Sequence, residues 1–267
     1  MKGLFLIILS MVLSGTSVAD NKAREIMEKV DARDDGDSMI STMQMTLIDK
    51  KGKQRNRQMR TYSKDINANT EHKAIFFLSP SDVKNTAFLT YDYSDDDKDD
   101  DQWMYLPALK KTKRIPASDK DSAFMGSDFS YADMTDKELD DYTFKLIKET
   151  VVKRKTGNEK VWVIESTPVS QAVIDETGYI KSTLYIRQDN QVLTRAKFYL
   201  KKASRIKYMD VLSMKEIDGI WVAMQTKMTT KQGKSTLHKT ILSNSDVQIN
   251  VAIDPDTFTI RSIEKGL

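Results

Sequence analysis

Two histidines and one serine are the first candidates for catalytic chemistry in this chain of 267 residues. A serine hydrolase would need His72 or His238, the only two histidines, as its general base. The nearest serine context is Gly126-Ser127-Asp128, which lacks the second glycine of a G-x-S-x-G nucleophile elbow. Two histidines without any cysteine are also a poor ligand set for zinc. A glycosidase-type carboxylate pair stays open because acids are abundant, but the sequence predicts a protein that is not an enzyme, with no catalytic residue, metal ligand or cofactor.

An acidic run and a basic run lie close together in the middle of the chain. Residues 92–101 contain seven aspartates, and carboxylates are calcium ligands, yet the run lacks the glycine and the terminal glutamate of an EF-hand. We therefore expect a solvated hairpin tip, and ion binding stays open. The basic residues Lys110, Lys111, Lys113 and Arg114 either pair with the acidic flank, keep an edge strand from aggregating, or contact lipid headgroups or a partner protein.

Composition and the first residues predict an exported protein. Lys2, the apolar run 4–13 and Ser17-Val18-Ala19 are typical of a secretory signal peptide, residues 1–19, that is cleaved after Ala19. The apolar run is shorter than the roughly 20 residues that span a bilayer, so a soluble periplasmic protein is expected. Cysteine is absent, which excludes disulfide chemistry, and a net charge of +3 does not favour nucleic acid as a partner.

The remaining chain, residues 20–267, reads as a single, mainly β domain. A first helix is expected after a cap at Asp20 or Asn21, with an apolar face containing Ala23 and Ile26. After residue 36 the apolar period changes to two, and strands follow one another with short turns between them. Regularly spaced strands without intervening helices favour an antiparallel meander that curls toward a barrel.

One long connection separates the strands expected to end near residue 115 and to begin near residue 143. Ser130…Asp133 and Thr135…Glu138 each fit a capping box before a short helix. Its apolar residues include Phe124, Met125 and Phe129. The connection is either a lid that inserts these residues into the mouth of the sheet or an ordinary surface loop that packs them for stability.

The same region resembles a known family. The run Tyr105-Leu106-Pro107-Ala108-Leu109-Lys110, the pair Arg114-Ile115 and the run Phe124-Met125-Gly126-Ser127-Asp128-Phe129 are similar to the signature of outer-membrane lipoprotein-sorting proteins, which are akin to the LolA/LolB carriers. Ile253-Asp254 and Phe258-Thr259 resemble the family's ending. The resemblance implies a half-open antiparallel β-barrel with short helices that plug an apolar cavity. Together with the residue pattern, it predicts about 11 strands and an N-terminal helix. It also implies carriage of acyl chains without covalent chemistry, often beside an RND/MMPL-type exporter.

These observations predict a periplasmic carrier that passes lipid, lipoprotein acyl chains or similar cargo between an inner-membrane exporter and the outer membrane. We expect a monomer that contacts the membrane transiently. Because each buried CH₂ contributes about 0.8 kcal/mol, sequestering a C14–C16 chain is worth roughly 10 kcal/mol before ordering costs. The predicted cavity and lid residues are Met43, Met45, Leu47, Phe77, Leu89, Trp103, Tyr105, Leu106, Phe124, Met125 and Phe129.

Two questions stay open at this point. Trp103 and Tyr105 alternate with Met104 and Leu106, so one pair faces inward and the other outward, and the sequence does not say which. The alternative function is a non-enzymatic adaptor of an RND-type exporter, in which side chains fill the barrel and the segment 92–114 is the docking patch.

Overall fold

The computed structural model describes residues 18–94, 98–154, 157–201 and 204–267, so most of the predicted signal peptide lies outside the described residues. Thirteen antiparallel strands form one open sheet in the order β6-β5-β4-β3-β2-β1-β13-β12-β11-β10-β9-β8-β7. The prediction of a mainly β, half-open antiparallel fold is confirmed, although the expected number of about 11 strands is too small. The strands are β1 Ser38–Asp49, β2 Gln54–Asn67, β3 Thr70–Ser79, β4 Ala87–Tyr93, β5 Asp101–Leu106, β6 Lys111–Arg114, β7 Tyr142–Arg154, β8 Gly157–Pro168, β9 Tyr179–Arg187, β10 Leu193–Leu200, β11 Arg205–Ile217, β12 Ile220–Gln232 and β13 Ser235–Ile249.

Strand order gives the sheet two edges that are neighbours in the sequence. Every strand pairs with its sequence neighbours except at two places, where β1 pairs with β13 and where β6 and β7 form the opposite edges. Residues 115–141, which we call the connector, link these two edges. Because the edges are opposite, the connector has to cross the sheet, and it covers the face that we call the inner face.

The first helix, α1 Val18–Asp31, packs on the same inner face beside β7. Its predicted apolar residues Ala23 and Ile26 are buried, as the periodicity indicated. The predicted cap at Asp20 or Asn21 is wrong, because the helix already includes Val18 and places Asp20 in its first turn. There the carboxylate faces the positive end of the helix dipole. None of the helices in the described part of the chain is long and apolar enough to cross a membrane.

The connector contains four short 3₁₀ helices, at 117–119, 124–126, 131–134 and 139–141. The capping box predicted from Ser130…Asp133 is confirmed, with the Ser130 backbone N donating to Asp133 Oδ2 at 2.8 Å. The capping box Thr135…Glu138 predicted a short helix that begins directly after Thr135. The last 3₁₀ helix instead begins at Leu139, and Glu138 is its N-cap residue.

Two short α-helices were not predicted from the sequence, α2 Gln171–Thr177 and α3 Ile260–Lys265. Both carry recognisable caps: the Ser170 hydroxyl accepts from Val173 N, and the Thr259 hydroxyl accepts from Ser262 N. Helices of six or seven residues have too few turns to show a clear apolar period, so caps were the available signal.

The C-terminal residues cover the outer face of β3, β4 and β5. They form the C-terminal cluster, whose buried members are Ala74, Phe76, Ala87, Leu89, Ile253, Phe258 and Ile263. Phe258 is 2% exposed, and its carbonyl accepts a hydrogen bond of 2.7 Å from the Tyr91 hydroxyl. Residues 251–263, which we call the C-terminal clasp, therefore pack on the outer side of this half of the sheet.

Phe258→Ala should lower the free energy of unfolding by about 3–5 kcal/mol, because it empties a buried aromatic site. Urea unfolding followed by tryptophan fluorescence measures this loss. Ile260→Ala is the matched control, since Ile260 lies in the same segment but is 41% exposed. A loss of under about 1 kcal/mol for Phe258→Ala would contradict the role assigned to the clasp.

Candidate functional site

Phe124 marks the point at which the connector inserts deepest into the inner face. Its ring is 1% exposed. It packs edge-on against Phe88 with centroids 5.1 Å apart, and against Tyr131 and Phe77 at 5.7 and 6.3 Å. We call its surroundings the plug cluster; its buried members are Met45, Leu47, Met59, Phe77, Val83, Phe88, Met104 and Phe124. A side chain from outside the sheet thus fills the apolar space that the strands enclose.

The structure brings seven of the predicted cargo residues together in or against the plug cluster. They are Met43, Met45, Leu47, Phe77, Leu106, Phe124 and Met125. Sequence reasoning left out Met59, Phe88 and Met104, all of which are buried there. Strand alternation was the available signal for Met104, because it shares a face with Leu106.

Three predicted residues, Leu89, Trp103 and Tyr105, lie on the opposite side of the sheet. Leu89 is buried in the C-terminal cluster, and the two aromatic residues pack against it. Neighbouring residues of a strand point to opposite faces, so Phe88 and Met104 face inward while Leu89 and Trp103 face outward. The open alternation in β5 is resolved in favour of Met104 and Leu106 as the inner pair.

Phe129 occupies a second apolar region of the inner face, under α1. We call it the helix cluster, whose buried members are Ala23, Ile26, Phe129, Tyr142, Phe144, Ile164, Val173, Tyr179, Leu184, Ile186, Ala196, Phe198 and Met228. Met134 and Leu242 pack against both clusters. Met134 belongs to the connector, so Leu242 of β13 is the sheet residue at which the two clusters meet. The connector covers both clusters, and α1 covers the helix cluster.

Two cavities flank the connector, and both have charged and polar walls. One of about 400 Å³ is lined by residues that include Ser122, Lys207 and Thr230. The other, of about 450 Å³, is lined by residues that include Asp100 and Glu176. The apolar space that was predicted beneath the connector is occupied by Phe124 and Phe129 in this conformation.

Asp128 ties the middle of the connector to β12 and β13. The hydroxyls of Thr230 and Thr240 donate to its carboxylate at 2.5 and 2.8 Å, and His238 Nδ1 lies 2.7 Å from Oδ2. Its backbone N donates to Thr240 Oγ1 at 2.9 Å. Asp128 is almost fully buried, so these contacts are what make burial of its charge tolerable.

A second tether joins the connector to β3 and β4 through Lys73. The Lys73 ammonium lies 2.8 Å from Glu71, 2.8 Å from Asp92 and 3.2 Å from Asp136 of the connector. The carboxylates of these three acids are close enough together to hold a metal ion, but the ammonium already supplies positive charge between them. Burial alone would lower the pKa of Lys73; the three acids raise it above its ordinary value.

The acidic run is partly structural rather than a solvated tip. Asp92 is paired with Lys73, Asp100 lies 3.7 Å from the buried Lys120, and Asp101 is paired with Arg114. Residues 95–97 lie outside the described residues. The pairing predicted between the basic run and the acidic flank is therefore present for Arg114, at the edge strand β6.

The other basic residues and the histidines are separated from one another. Lys110, Lys111 and Lys113 are exposed along the edge at β6. His72 stacks on Tyr91 with centroids 3.8 Å apart, near the C-terminal clasp. His238 belongs to the Asp128 tether instead. The structure gives each histidine a packing or anchoring partner.

Comparisons with known proteins agree with this architecture. Residues 69–265 match a family model whose description is "uncharacterized protein", and no curated protein matches the chain. A DUF1329 family protein from Desulfovibrio piger is 27% identical, with a TM-score of 0.83 over 92% of this chain and 100% of that one. A putative outer membrane lipoprotein-sorting protein domain from Vibrio parahaemolyticus is 30% identical, with a TM-score of 0.81 over 92% and 99%. A LolA superfamily protein from Nitrosomonas europaea, 17% identical with a TM-score of 0.65 over 92% and 99%, shares the fold.

Glu71 makes stability depend on pH. Burial raises its pKa to about 7 despite the neighbouring Lys73, so the folded protein holds a proton that the unfolded chain releases near pH 4.5. The protonated Glu71 contributes fully to the free energy of unfolding below pH 4.5, and this contribution is lost as the pH rises through 7. We expect the free energy of unfolding to fall over that window by at most about 3 kcal/mol.

Glu71→Gln should flatten this decline, measured by urea unfolding at several pH values between 4.5 and 8. Asp100, whose pKa is raised to about 6 by burial and by Asp92, should keep part of the slope. Glu25→Gln on the exposed side of α1 is the control and should leave the profile unchanged. An identical slope in Glu71→Gln and wild type would contradict the assignment to Glu71.

Proposed function

Since the chain belongs to the family of outer-membrane lipoprotein-sorting proteins, we propose that it is a periplasmic carrier of lipid or acylated cargo. In this proposal the cargo chain binds on the inner face of the sheet, in the space that the connector now fills. The connector leaves the inner face when cargo enters and returns when cargo is released. No covalent chemistry takes part.

The observation that carries the proposal is the position of Phe124 and Phe129. Both rings come from a segment outside the sheet, and both are buried in the apolar clusters of the inner face. Connecting segments usually run over the protein surface. Removal of the connector would open apolar space in both clusters, while α1 would still cover part of the helix cluster.

Energetics allow such an exchange. Burying a phenylalanine contributes about 1.5–3 kcal/mol, whereas burying a C14–C16 chain contributes roughly 10 kcal/mol before ordering costs. The two rings together are therefore worth less than one cargo chain. Methionine suits a surface that must fit either occupant, because its side chain is flexible and polarisable, and Met45, Met59 and Met104 line the plug cluster.

The tethers of the connector are also of a kind that can be released. Asp128 and Asp136 hold it through hydrogen bonds and ion pairs rather than through apolar burial. A hydrogen bond to a charged group contributes about 1.5–3 kcal/mol net, and water or another polar partner can replace it once the segment is exposed. A membrane surface or a partner protein can offer polar groups that replace these contacts of Asp128 and Asp136.

The route of the cargo is the finer part of the proposal. The N-terminal residues have the pattern of an export signal, and the family resemblance implies an RND/MMPL-type exporter of the inner membrane as donor. We propose transfer from that exporter toward the outer membrane by a monomer. The exposed Lys110, Lys111 and Lys113 at the edge β6 support contact with anionic headgroups or with the exporter.

An adaptor role is the second candidate, and one observation favours it. The two apolar clusters of the inner face are packed by the protein's own side chains, as expected of a docking module that holds no cargo. The exposed basic edge, together with Leu109, which is 53% exposed, would then form the docking patch. The two functions differ in whether the connector ever leaves the inner face.

Native mass spectrometry of protein purified gently from the periplasm, followed by lipid extraction, distinguishes the two. A carrier should show a stoichiometric adduct that resolves into acyl-containing species. A clean mass, without uptake from added phospholipid or acylated peptide, would reject the carrier and favour the adaptor.

A double substitution, Asp128→Cys with Thr240→Cys, should lock the connector and block uptake of a fluorescent phospholipid. These side chains touch in the wild type, with Asp128 Oδ2 2.8 Å from Thr240 Oγ1, and a disulfide needs two residues whose side chains meet. The chain has no cysteine of its own, so no other disulfide can form. We expect oxidised protein to take up at least about tenfold less lipid than the same protein after reduction.

The matched control is Asp128→Ser with Thr240→Ser, which alters the same tether but cannot cross-link. Its lipid uptake should not respond to oxidant or reductant. If the oxidised double-cysteine protein, with its cross-link verified by mass, takes up lipid as well as the reduced form does, the connector does not need to move and the proposed mechanism is wrong.

A further inference from the structure

A buried ammonium lies on the wall of the cavity of about 400 Å³ beside the connector. Lys207 is 9% exposed, and the cavity also borders Ser122, Ser127, Lys201, Arg205 and Thr230. This volume falls within the roughly 300–1,000 Å³ of small-molecule sites. The cavity therefore has three basic side chains, two carboxylates (Asp121 and Asp128) and several hydroxyls in its wall, at one side of the connector.

Lys207 has too few partners for a buried cation. Its Nζ donates to the Tyr179 hydroxyl at 3.0 Å, and its nearest carboxylate, Asp133, is 3.7 Å away. An ammonium has three donors, and within the described part of the chain the Lys207 ammonium makes no other hydrogen bond. Because a buried charge is stabilised by each further hydrogen bond, the remaining donors can bind an acceptor in the cavity.

The neighbours of Lys207 do not supply that acceptor. Burial, together with Asp133, raises the pKa of Tyr179, which keeps its phenol protonated and neutral. The Tyr179 hydroxyl itself donates to Asp133 at 2.8 and 3.0 Å. Asp128, the acid on the opposite wall, is already bonded to Thr230 and to its other tether partners.

The rim of the cavity adds positive charge. Arg205 is exposed, and among the described residues it forms no ion pair. Lys201 is shared between Asp121 at 3.1 Å and Asp175 at 3.5 Å. A small anion that entered here would meet Arg205 first and Lys207 at the buried end.

We propose that this cavity binds the phosphate of the cargo's headgroup, so that the cargo is a phosphate-bearing lipid rather than a phosphate-free acylated protein. The assignment rests on the proposed carrier function and names its cargo class. Tyr179, which contacts Lys207, is a member of the helix cluster that also contains Phe129. If the headgroup binds at Lys207, the acyl chains attached to it would begin beside the space that Phe129 fills.

Uptake of two lipids with identical acyl chains, phosphatidylglycerol and diacylglycerol, tests the assignment. Both are presented in vesicles of neutral lipid, and bound lipid is measured by mass spectrometry. Wild type should take up phosphatidylglycerol at least about tenfold more than diacylglycerol, since charge-assisted hydrogen bonds are the stronger class. Lys207→Met should bring the two to parity by losing phosphatidylglycerol, with diacylglycerol unchanged.

Arg205→Gln and Lys239→Met complete the variant set. Arg205 is exposed, so Arg205→Gln should fold, and it should weaken phosphatidylglycerol uptake alone; this variant decides the question if Lys207→Met does not fold. Lys239 is an exposed lysine of β13 outside the cavity, and Lys239→Met should behave as wild type.

Each remaining outcome has one meaning. Equal uptake of both lipids by wild type overturns the headgroup site and leaves the carrier standing. Uptake of neither lipid also overturns the headgroup site; the carrier itself is overturned only if an acylated peptide is not taken up either. Inorganic phosphate that raises the melting temperature of wild type but not of Lys207→Met, without any lipid uptake, would show a site for free phosphate and overturn the lipid assignment.

Discussion

One topological constraint determines the rest of this structure: the two edges of the sheet are consecutive in the sequence. Because β6 and β7 are the two edge strands of the thirteen-stranded sheet but follow one another in the chain, the connector has to cross the whole inner face. Its contacts follow the sheet in order. Phe124 meets β3 and β4, Asp128 meets β13 and β12, Asp133 meets β9 and β11, and Leu139 reaches α1.

The connector joins two kinds of contact that respond differently to a ligand. Its aromatic rings fill apolar space, so another apolar group of similar shape can replace them. Its carboxylates form hydrogen bonds and ion pairs with strand residues, which set where the segment lies and how it returns. If apolar burial alone held the connector, nothing would fix its position along the sheet. If polar contacts alone held it, the apolar space of the two clusters would stay unfilled.

Local patterns predicted much of the fold but only part of the site. Strand alternation and the Ser130…Asp133 box depend on residues close in sequence, and they were correct. Placing Leu89, Trp103 and Tyr105 required knowledge of which face the C-terminal clasp covers, which is a long-range property. The short helices α2 and α3 lacked periodicity, and Lys207 gave no sequence signal because a single lysine in a strand is usually solvated.

The pairing of β1 with β13 at the middle of the sheet has a consequence for how the molecule forms. It joins residues such as Met45 and Leu242, about 200 positions apart, whereas nearly all other strand pairs are sequence neighbours. Two half-sheets of local hairpins can assemble first, and the seam between them closes only once the last long strand has been made. A chain that emerges N-terminus first therefore leaves one edge of β1 unpaired until β13, about 200 residues later, has been made, and during that period β1 can pair wrongly with other chains.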